Sequence, residues 1–230
     1  MHTNLVISTI NQILEEVKKN NTLRESKKQK FKKQLESIKK DYSEIAVPEK
    51  FKKQYNQLNS KGMDLVKELR GKKDKNKLQT SVEVYIRYLK ASLCDFKGES
   101  GYLKKYITSF LFTSILFLAL SPQFYGFILP VLFFLPIYMG LKSVKQRSIS
   151  GFYMTMSVIP VGIMTAFTWI RYGINIRSDV NGAIQAIVDS GISEGLAQNL
   201  IYIGPIGGCI LFIFTCLQLY RGYKSRDLFI

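Results

Sequence analysis

Hydrophobic positions follow two different patterns along the chain, and the change falls near residue 105. Over residues 1–100, apolar side chains recur at steps of three and four between polar ones, which is typical of amphipathic helices. The four stripes are Val6, Ile10, Ile13, Leu14 and Val17; Phe31, Leu35, Ile38 and Tyr42; Phe51, Tyr55, Leu58, Leu65 and Leu69; and Val82, Tyr85, Ile86, Leu89, Leu93 and Phe96. After residue 105 the apolar positions merge into continuous runs, so the two parts of the chain are predicted to pack in different ways.

Polar and helix-breaking residues separate the four stripes into four predicted helices. The breaks fall at residues 20–22, at Pro48, at residues 71–77 and at residues 97–101. Helices of this length can bury their stripes against one another in a small bundle or in two helical hairpins. The alternative is a pair of long, bent helices that pack against a partner. We favour the bundle, as a helical domain over residues 1–100.

The longest apolar run covers residues 106–141, which are 36 residues without a charge. A helix that crosses a bilayer needs about 20 residues and seldom has more than about 25, so this run is too long for one crossing. It is interrupted at Ser121, Pro122 and Gln123, where proline disfavours helix at the residue before it. The pattern predicts spans over residues 103–121 and 124–141, joined by a tight turn. A re-entrant hairpin that does not reach the far side is the alternative.

Two further uncharged runs, residues 151–170 and 200–220, each match the thickness of a bilayer. Aromatic residues, which favour the membrane–water interface, lie near the edges of both runs. They are Phe152, Tyr153, Trp169, Tyr172, Tyr202 and Tyr220. The sequence therefore predicts an all-α integral membrane protein with a membrane domain of four spans over residues 101–230.

The distribution of basic residues between the spans predicts the orientation. Lys142, Lys145 and Arg147 follow the second span without an acidic residue. Arg221, Lys224 and Arg226 follow the fourth span. The loop at residues 171–199 instead carries three acidic residues, Asp179, Asp189 and Glu194. Because positive residues mark the cytoplasmic side, we expect both termini in the cytoplasm of a cell-membrane protein and the loop outside.

The targeting and loop segments add two expectations. Residues 1–19 are amphipathic without a continuous apolar core, so no signal peptide is expected. In the external loop, Ser178 or Asp179 can cap a short helix whose apolar face includes Ile184 and which Gly191 ends. The acidic residues of this loop could contribute to a cation site, but capping and solvated positions are the favoured interpretation.

The chain is strongly basic, with 33 Lys and Arg, 17 Asp and Glu and a net charge of +16. Two lysine clusters lie in the predicted helical domain, at Lys27, Lys28, Lys30, Lys32 and Lys33 and at Lys72, Lys73, Lys75 and Lys77. The plainest interpretation is a solvated surface. Such clusters also suit the anionic lipids of an inner leaflet or a protein partner with an acidic or apolar groove. The first 80 residues contain only two arginines, Arg24 and Arg70, which argues against binding to nucleic acid.

Candidate catalytic and metal-binding residues are few. The one histidine is His2, and the three cysteines, Cys94, Cys209 and Cys216, form no Cys-x-x-Cys pair. No phosphate-binding, dinucleotide-binding or zinc-protease motif is present. We therefore expect no cofactor and no metal, and the sequence favours a non-enzymatic protein. No motif is specific enough to assign a family.

Within the predicted spans, Pro160, Gly204, Pro205, Gly207 and Gly208 are the candidate packing or hinge residues, because small residues let helices approach closely. The apolar cores carry no ionisable residue, which argues against a coupled pump. Hydroxyl side chains in the spans, such as those of Ser109 and Thr113, could line a pore, so a channel is still a possible interpretation.

These observations favour a membrane-anchored adaptor or regulatory subunit whose basic helical domain lies at the inner membrane surface. The alternative is a small oligomeric channel or permease component, since four spans would have to assemble with further copies to enclose a pore.

Overall fold

A computed structural model describes residues 3–71 and 74–230 of the chain. The described residues are mainly helical and contain no β-strand. The prediction of an all-α protein is therefore confirmed. The chain divides into two compact units, one of Met1–Gly101 with Asp227–Ile230 and one of Tyr102–Arg226. We refer to them as the bundle and the span unit.

Four helices form the bundle: α1 (Asn4–Lys19), α2 (Glu25–Ser43), α3 (Lys52–Arg70) and α4 (Lys75–Phe96). Helix α1 packs against α2 and α3, and α4 packs against the same two helices. The four stripes thereby enclose one core, and the prediction of a helical bundle is confirmed. Each of the four helices packs its apolar stripe against two neighbouring helices, so none of them needs another protein to bury that stripe.

Polar residues hold the bundle together at its ends and in its core. The amide of Asn20 donates to the carbonyl of Leu69 (3.1 Å), while its Oδ1 accepts from the backbone N–H of Thr22 (2.9 Å). In the core, the buried Tyr42 hydroxyl donates to the carbonyl of Leu89 (2.8 Å). The Asn20–Leu69 and Tyr42–Leu89 bonds join residues that are 49 and 47 positions apart in the sequence, and they thus help to set how the helices align.

The span unit begins with α5 (Gly101–Leu120) and the short α6 (Pro122–Tyr125), and continues with α7 (Ile128–Lys145), α8 (Ile149–Met156), α9 (Val158–Asn175), α10 (Val180–Asp189) and α11 (Glu194–Ser225). Within the described part of the chain, four helical segments are long and apolar enough to cross a membrane, namely Gly101–Leu120, Ile128–Lys145, Ile149–Ser178 and Glu194–Leu228. The predicted number of spans is confirmed, and the four segments fit a multi-pass membrane protein.

The connection between the first two spans is longer than the predicted tight turn. Helix α6 and Gly126, which has a φ of 60°, precede α7, so the second span begins at Ile128 and not at residue 124. A glycine tolerates this backbone conformation because it has no Cβ. The third span is interrupted at Ser157, between α8 and α9, and Pro160 lies in the first turn of α9, where proline is tolerated.

The loop at residues 171–199 contains the predicted short helix. Asp179 caps α10 by accepting from the N–H of Gly182 (2.8 Å). Gly191 has a φ of 94° and lies between α10 and α11, which begins at Glu194. Helix α11 has 32 residues, or about 48 Å at the usual rise per residue, so it extends beyond an apolar layer of about 30 Å.

Candidate functional site

The predicted lysine clusters lie on two helices of the bundle. Lys27, Lys28, Lys30, Lys32 and Lys33 belong to α2, and Lys75 and Lys77 lie in the first turn of α4. Lys72 and Lys73 lie outside the described residues. Three of the α2 lysines form ion pairs, with Nζ–carboxylate distances of 3.2 Å for Lys27–Glu83, 3.3 Å for Lys28–Glu25 and 3.9 Å for Lys32–Glu36. These partly exposed pairs leave α2 with fewer unpaired charges than its sequence has lysines.

Lys30 and Lys33 remain exposed, and the structure shows no carboxylate within salt-bridge distance of either among the described residues. They are three residues apart on α2 and therefore lie on the same side of this helix. An acidic surface could approach them without first breaking an ion pair. Of the predicted α2 lysines, these two are the best candidates for contact with a partner.

Two open grooves flank α2. The groove beside α1 has a volume of about 420 Å³ and is lined by Leu14, Glu15, Val17, Lys18, Glu25, Lys28, Gln29, Lys32 and Glu36. The groove beside α4 has a volume of about 380 Å³, and its lining includes Lys33, Ile38, Lys90, Cys94 and Asp227. Both combine apolar and charged side chains.

The last residues of the sequence belong to the bundle. Asp227 pairs with Lys90 at 2.9 Å, and Leu228 and Phe229 are each 1% exposed. Burial, together with the carboxylates of Glu99 and Asp227, raises the pKa of the Cys94 thiol to about 12. A thiol with such a pKa is almost entirely protonated at neutral pH and is a poor nucleophile. The sequence analysis did not anticipate this association, because nothing in the four residues Asp227–Ile230 indicates what they pack against.

The predicted small residues of the span unit lie where α11 packs against α9. A Cβ added to Gly204 would overlap the ring of Trp169, and one added to Gly208 would approach the Trp169 Cβ at 2.6 Å. Pro205 lies against Gly173 of α9, and Gly207 faces Leu120 of α5. The Trp169 indole N–H also donates to the carbonyl of Leu120 (2.9 Å). Trp169 thus joins α9 both to α11 and to the end of α5.

Polar side chains meet inside the span unit near the start of α5. The hydroxyls of Tyr106 and Thr155 are 2.6 Å apart, and the Gln218 amide donates to the Thr155 carbonyl (2.9 Å). Gln218 is completely buried. We call these three residues the polar junction. It links α5, α8 and α11, and the sequence analysis missed it, although Gln218 is the one amide in the uncharged run over residues 200–220.

Most buried hydroxyls along the spans bond to their own helix. Thr113 donates to the Ser109 carbonyl (3.0 Å), Thr165 to the Val161 carbonyl (2.9 Å) and Thr215 to the Leu211 carbonyl (2.6 Å). A hydroxyl engaged in this way has less capacity to coordinate a solute. The Ser114 hydroxyl and the Gln218 Oε1 are buried without a hydrogen-bond partner.

Among residues 3–71 and 74–230, no group of three or more His, Cys, Asp or Glu side chains is placed to hold a metal ion. Cys209 and Cys216 are exposed on α11. They lie on the outer side of this helix, where lipid would contact them. Searches against protein-family models, curated proteins and solved structures found no match.

Proposed function

We propose that the chain is a membrane-anchored adaptor or regulatory subunit, in which the span unit is the anchor and the bundle binds a partner at the cytoplasmic surface. The observation that carries this proposal is the difference in chemical capacity between the two units. The bundle has its own core and exposes unpaired charges at Lys30 and Lys33. The span unit uses most of its buried polar groups to join or stabilise its own helices.

The cytoplasmic placement of the bundle rests on the charges of the span unit. Its acidic residues, Asp179, Asp189 and Glu194, all lie in the loop at residues 171–199. Lys142, Lys145 and Arg147, between α7 and α8, have no acidic neighbour in sequence. By the positive-inside rule this connection is cytoplasmic, and so is the start of α5, two crossings earlier.

The partner is expected to present an acidic surface to α2. A protein is the first candidate, and anionic lipid headgroups are the second, since a basic residue near such a membrane gains about 1 kcal/mol. We expect Lys30→Glu with Lys33→Glu to abolish binding by reversing two charges on one side of α2. Lys52→Glu with Lys53→Glu is the matched control, because these lysines are also exposed but lie on α3.

The test is crosslinking of the full-length protein in its native membrane, followed by identification of the linked species. A protein linked to the parent chain and to the Lys52/Lys53 control, but lost from the Lys30/Lys33 variant, supports the adaptor function. The purified full-length protein is also tested for binding to anionic vesicles. Binding that is lost from the Lys30/Lys33 variant identifies lipid as the acidic surface. Products that are only multiples of this chain, unchanged by either variant, contradict the proposal.

A small oligomeric channel or permease component is the second candidate. The buried Ser114 hydroxyl and Gln218 Oε1, which lack hydrogen-bond partners, are the observation in its favour. In this case the full-length protein, purified and reconstituted into vesicles, would carry a solute or ion across the vesicle membrane. Gln218→Leu would reduce that flux, whereas Lys30→Glu with Lys33→Glu would leave it unchanged.

A further inference from the structure

Basic and aromatic side chains cluster at the end of the span unit where α5 begins and α11 ends. The Nζ of Lys105 lies 5.8 Å from the centroid of the Tyr102 ring, and the Nζ of Lys224 lies 5.7 Å from it. Lys224 is also 5.1 Å from the centroid of the Tyr220 ring. Two ammonium groups from different helices thus share one aromatic ring.

Arg221 completes this cluster and is held more firmly than the lysines. Its Nη1 donates to the carbonyl of Lys105 (3.1 Å) and to the hydroxyl of Ser109. Among the described residues, no carboxylate forms a salt bridge with Lys105, Arg221 or Lys224. The guanidinium is therefore positioned by the neutral acceptors of Lys105 and Ser109 and not by an acidic side chain.

The acidic residues of the span unit are too far along the chain to neutralise these cations. Asp179, Asp189 and Glu194 precede the apolar part of α11, whereas Arg221 and Lys224 follow it. Glu194, the nearest of these acidic residues in sequence, is 27 positions before Arg221 on α11, or about 40 Å along the helix. Lys105, Arg221 and Lys224 therefore present three positive charges at one end of the span unit, with no acidic residue of that unit near enough to neutralise them.

The ligand that fits this cluster is a phosphate-bearing anion at the membrane surface. Lysine and arginine are the usual phosphate ligands, and tyrosine rings favour the depth of the lipid headgroups. The cluster directly follows the apolar run of α11, so it lies at the level of headgroups when the spans are in a bilayer. We propose that Lys105, Arg221 and Lys224 bind the phosphate of an anionic phospholipid of the cytoplasmic leaflet.

This site is separate from the lysines of α2, and it does not depend on what the bundle binds. Its residues all belong to the span unit. Loss of lipid binding here would leave the interactions of Lys30 and Lys33 intact, and the reverse also holds. The two proposals therefore fail independently.

The experiment uses the full-length protein in nanodiscs of phosphatidylcholine with a minor share of phosphatidylglycerol. Native mass spectrometry then counts the phosphatidylglycerol molecules that stay with the released protein, and titration of that lipid gives an apparent affinity. Lys105→Gln with Lys224→Gln is expected to weaken retention about 25-fold, since each basic residue contributes about fivefold. Lys224→Arg should retain the lipid because it keeps the charge.

Lys142→Gln with Lys145→Gln is the matched control, because it removes the same charge from the end of α7. Retention by this control and loss from the Lys105/Lys224 variant support the site. An equal loss of phosphatidylglycerol from the two variants would show that general surface charge retains the lipid, and it would overturn the proposal. Retention of phosphatidylcholine by the parent protein to the same extent as phosphatidylglycerol would also overturn it. Release of the lipid by millimolar inorganic phosphate would show a site for soluble phosphate instead, and the lipid assignment would be wrong. Thermal unfolding of each variant checks that folding is unchanged.

Discussion

The bundle and the span unit both bury large apolar residues, but they differ in the small and polar residues that they bury and in the apolar residues that they expose. In the bundle, the buried residues are mainly large and apolar, such as Phe31 and Leu35, and among its described residues the exposed large apolar ones are Leu5 and Met63. In the span unit, Gly204, Gly208, Thr155 and Gln218 are among the buried residues, whereas α7 exposes many large apolar ones. These are Phe127, Ile128, Val131, Leu132, Phe134, Leu135, Tyr138 and Met139.

The difference follows from the solvent that each unit meets. Water drives large apolar side chains into a core, because burial of their surface releases them from hydration. Lipid gives no such drive, so helices in a bilayer associate through close packing of small residues and through hydrogen bonds. The same chain therefore contains two cores built by different rules, and substitutions of one type should have different effects in the two units.

Truncation of a large aromatic residue should separate the two units most clearly. Phe31 of the bundle is completely buried, whereas Phe134 of α7 is 61% exposed. We expect Phe31→Ala to destabilise the bundle by about 3–5 kcal/mol through loss of burial and a cavity. Phe134→Ala should cost less than about 1 kcal/mol, because lipid replaces the lost contacts. Chemical unfolding of the full chain in lipid-like detergent measures both. Equal losses would contradict the contrast between the cores.

Enlargement of a glycine should have its main effect in the span unit. Gly204→Ala places a methyl group in the ring of Trp169, and we expect a loss of about 1–3 kcal/mol from overpacking. Gly195→Ala is the control on the same helix, since a Cβ there meets nothing within 4 Å. Thermal unfolding followed by circular dichroism should therefore show a lower midpoint for Gly204→Ala alone. A similar midpoint for both variants would rule out close α9–α11 packing at Trp169.

Removal of one hydrogen bond should have a smaller effect. Tyr106→Phe and Thr155→Val each break the 2.6 Å contact of the polar junction. A double-mutant cycle on the unfolding free energy is expected to give a coupling of about 0.6 kcal/mol, the average for such bonds inside membranes. Tyr42→Phe, which removes the bond to Leu89 in the bundle, provides the comparison, at about 1 kcal/mol. Zero coupling would mean that the polar junction does not hold α5 and α8 together.

The ion pair between Lys90 and Asp227 should contribute least to stability, because both side chains are partly exposed. We expect Asp227→Asn to cost less than about 1 kcal/mol. It should nevertheless lower the pKa of Cys94 and speed its alkylation several-fold, because Asp227 is one of the carboxylates that raise that pKa. The assay follows maleimide labelling in a Cys209→Ala, Cys216→Ala background.

Asp41→Asn is the control for that measurement, since Asp41 lines the same groove but pairs with Lys97 at 3.5 Å. Its labelling rate should equal that of the parent, and equal acceleration would contradict the effect of Asp227. The direction of the pH dependence also follows. The folded Cys94 pKa lies above its ordinary value of 9.0, so the thiol's contribution to bundle stability is complete below pH 9 and is lost as the pH rises toward 12.

The sequence pattern was enough to predict the helices of both units and the number of spans. Spacing of apolar residues such as Phe31, Leu35 and Ile38 identifies an amphipathic helix, and the uncharged run over residues 106–141 is too long for one crossing and predicts two helices. Breakers such as Pro48 and Gly191 also placed helix ends close to their positions in the structure. These features are local, because each depends on neighbouring residues and on the period of the helix.

Only the tertiary structure revealed which side chains of different helices within a unit contact one another. The polar junction joins Tyr106 to Thr155 and Gln218, and Trp169 meets both Gly204 and Leu120. Such pairs lie 49 or more residues apart where a hydrogen bond joins them, and periodicity carries no information about contacts between distant segments. The lysines illustrate the same limit, since sequence groups Lys27 with Lys30, but only the fold pairs Lys27 with Glu83 and leaves Lys30 open to a partner. The charge and hydropathy of a residue can be read from the sequence. Whether that charge is neutralised, or that side chain closely packed, depends on which other residue folding brings next to it.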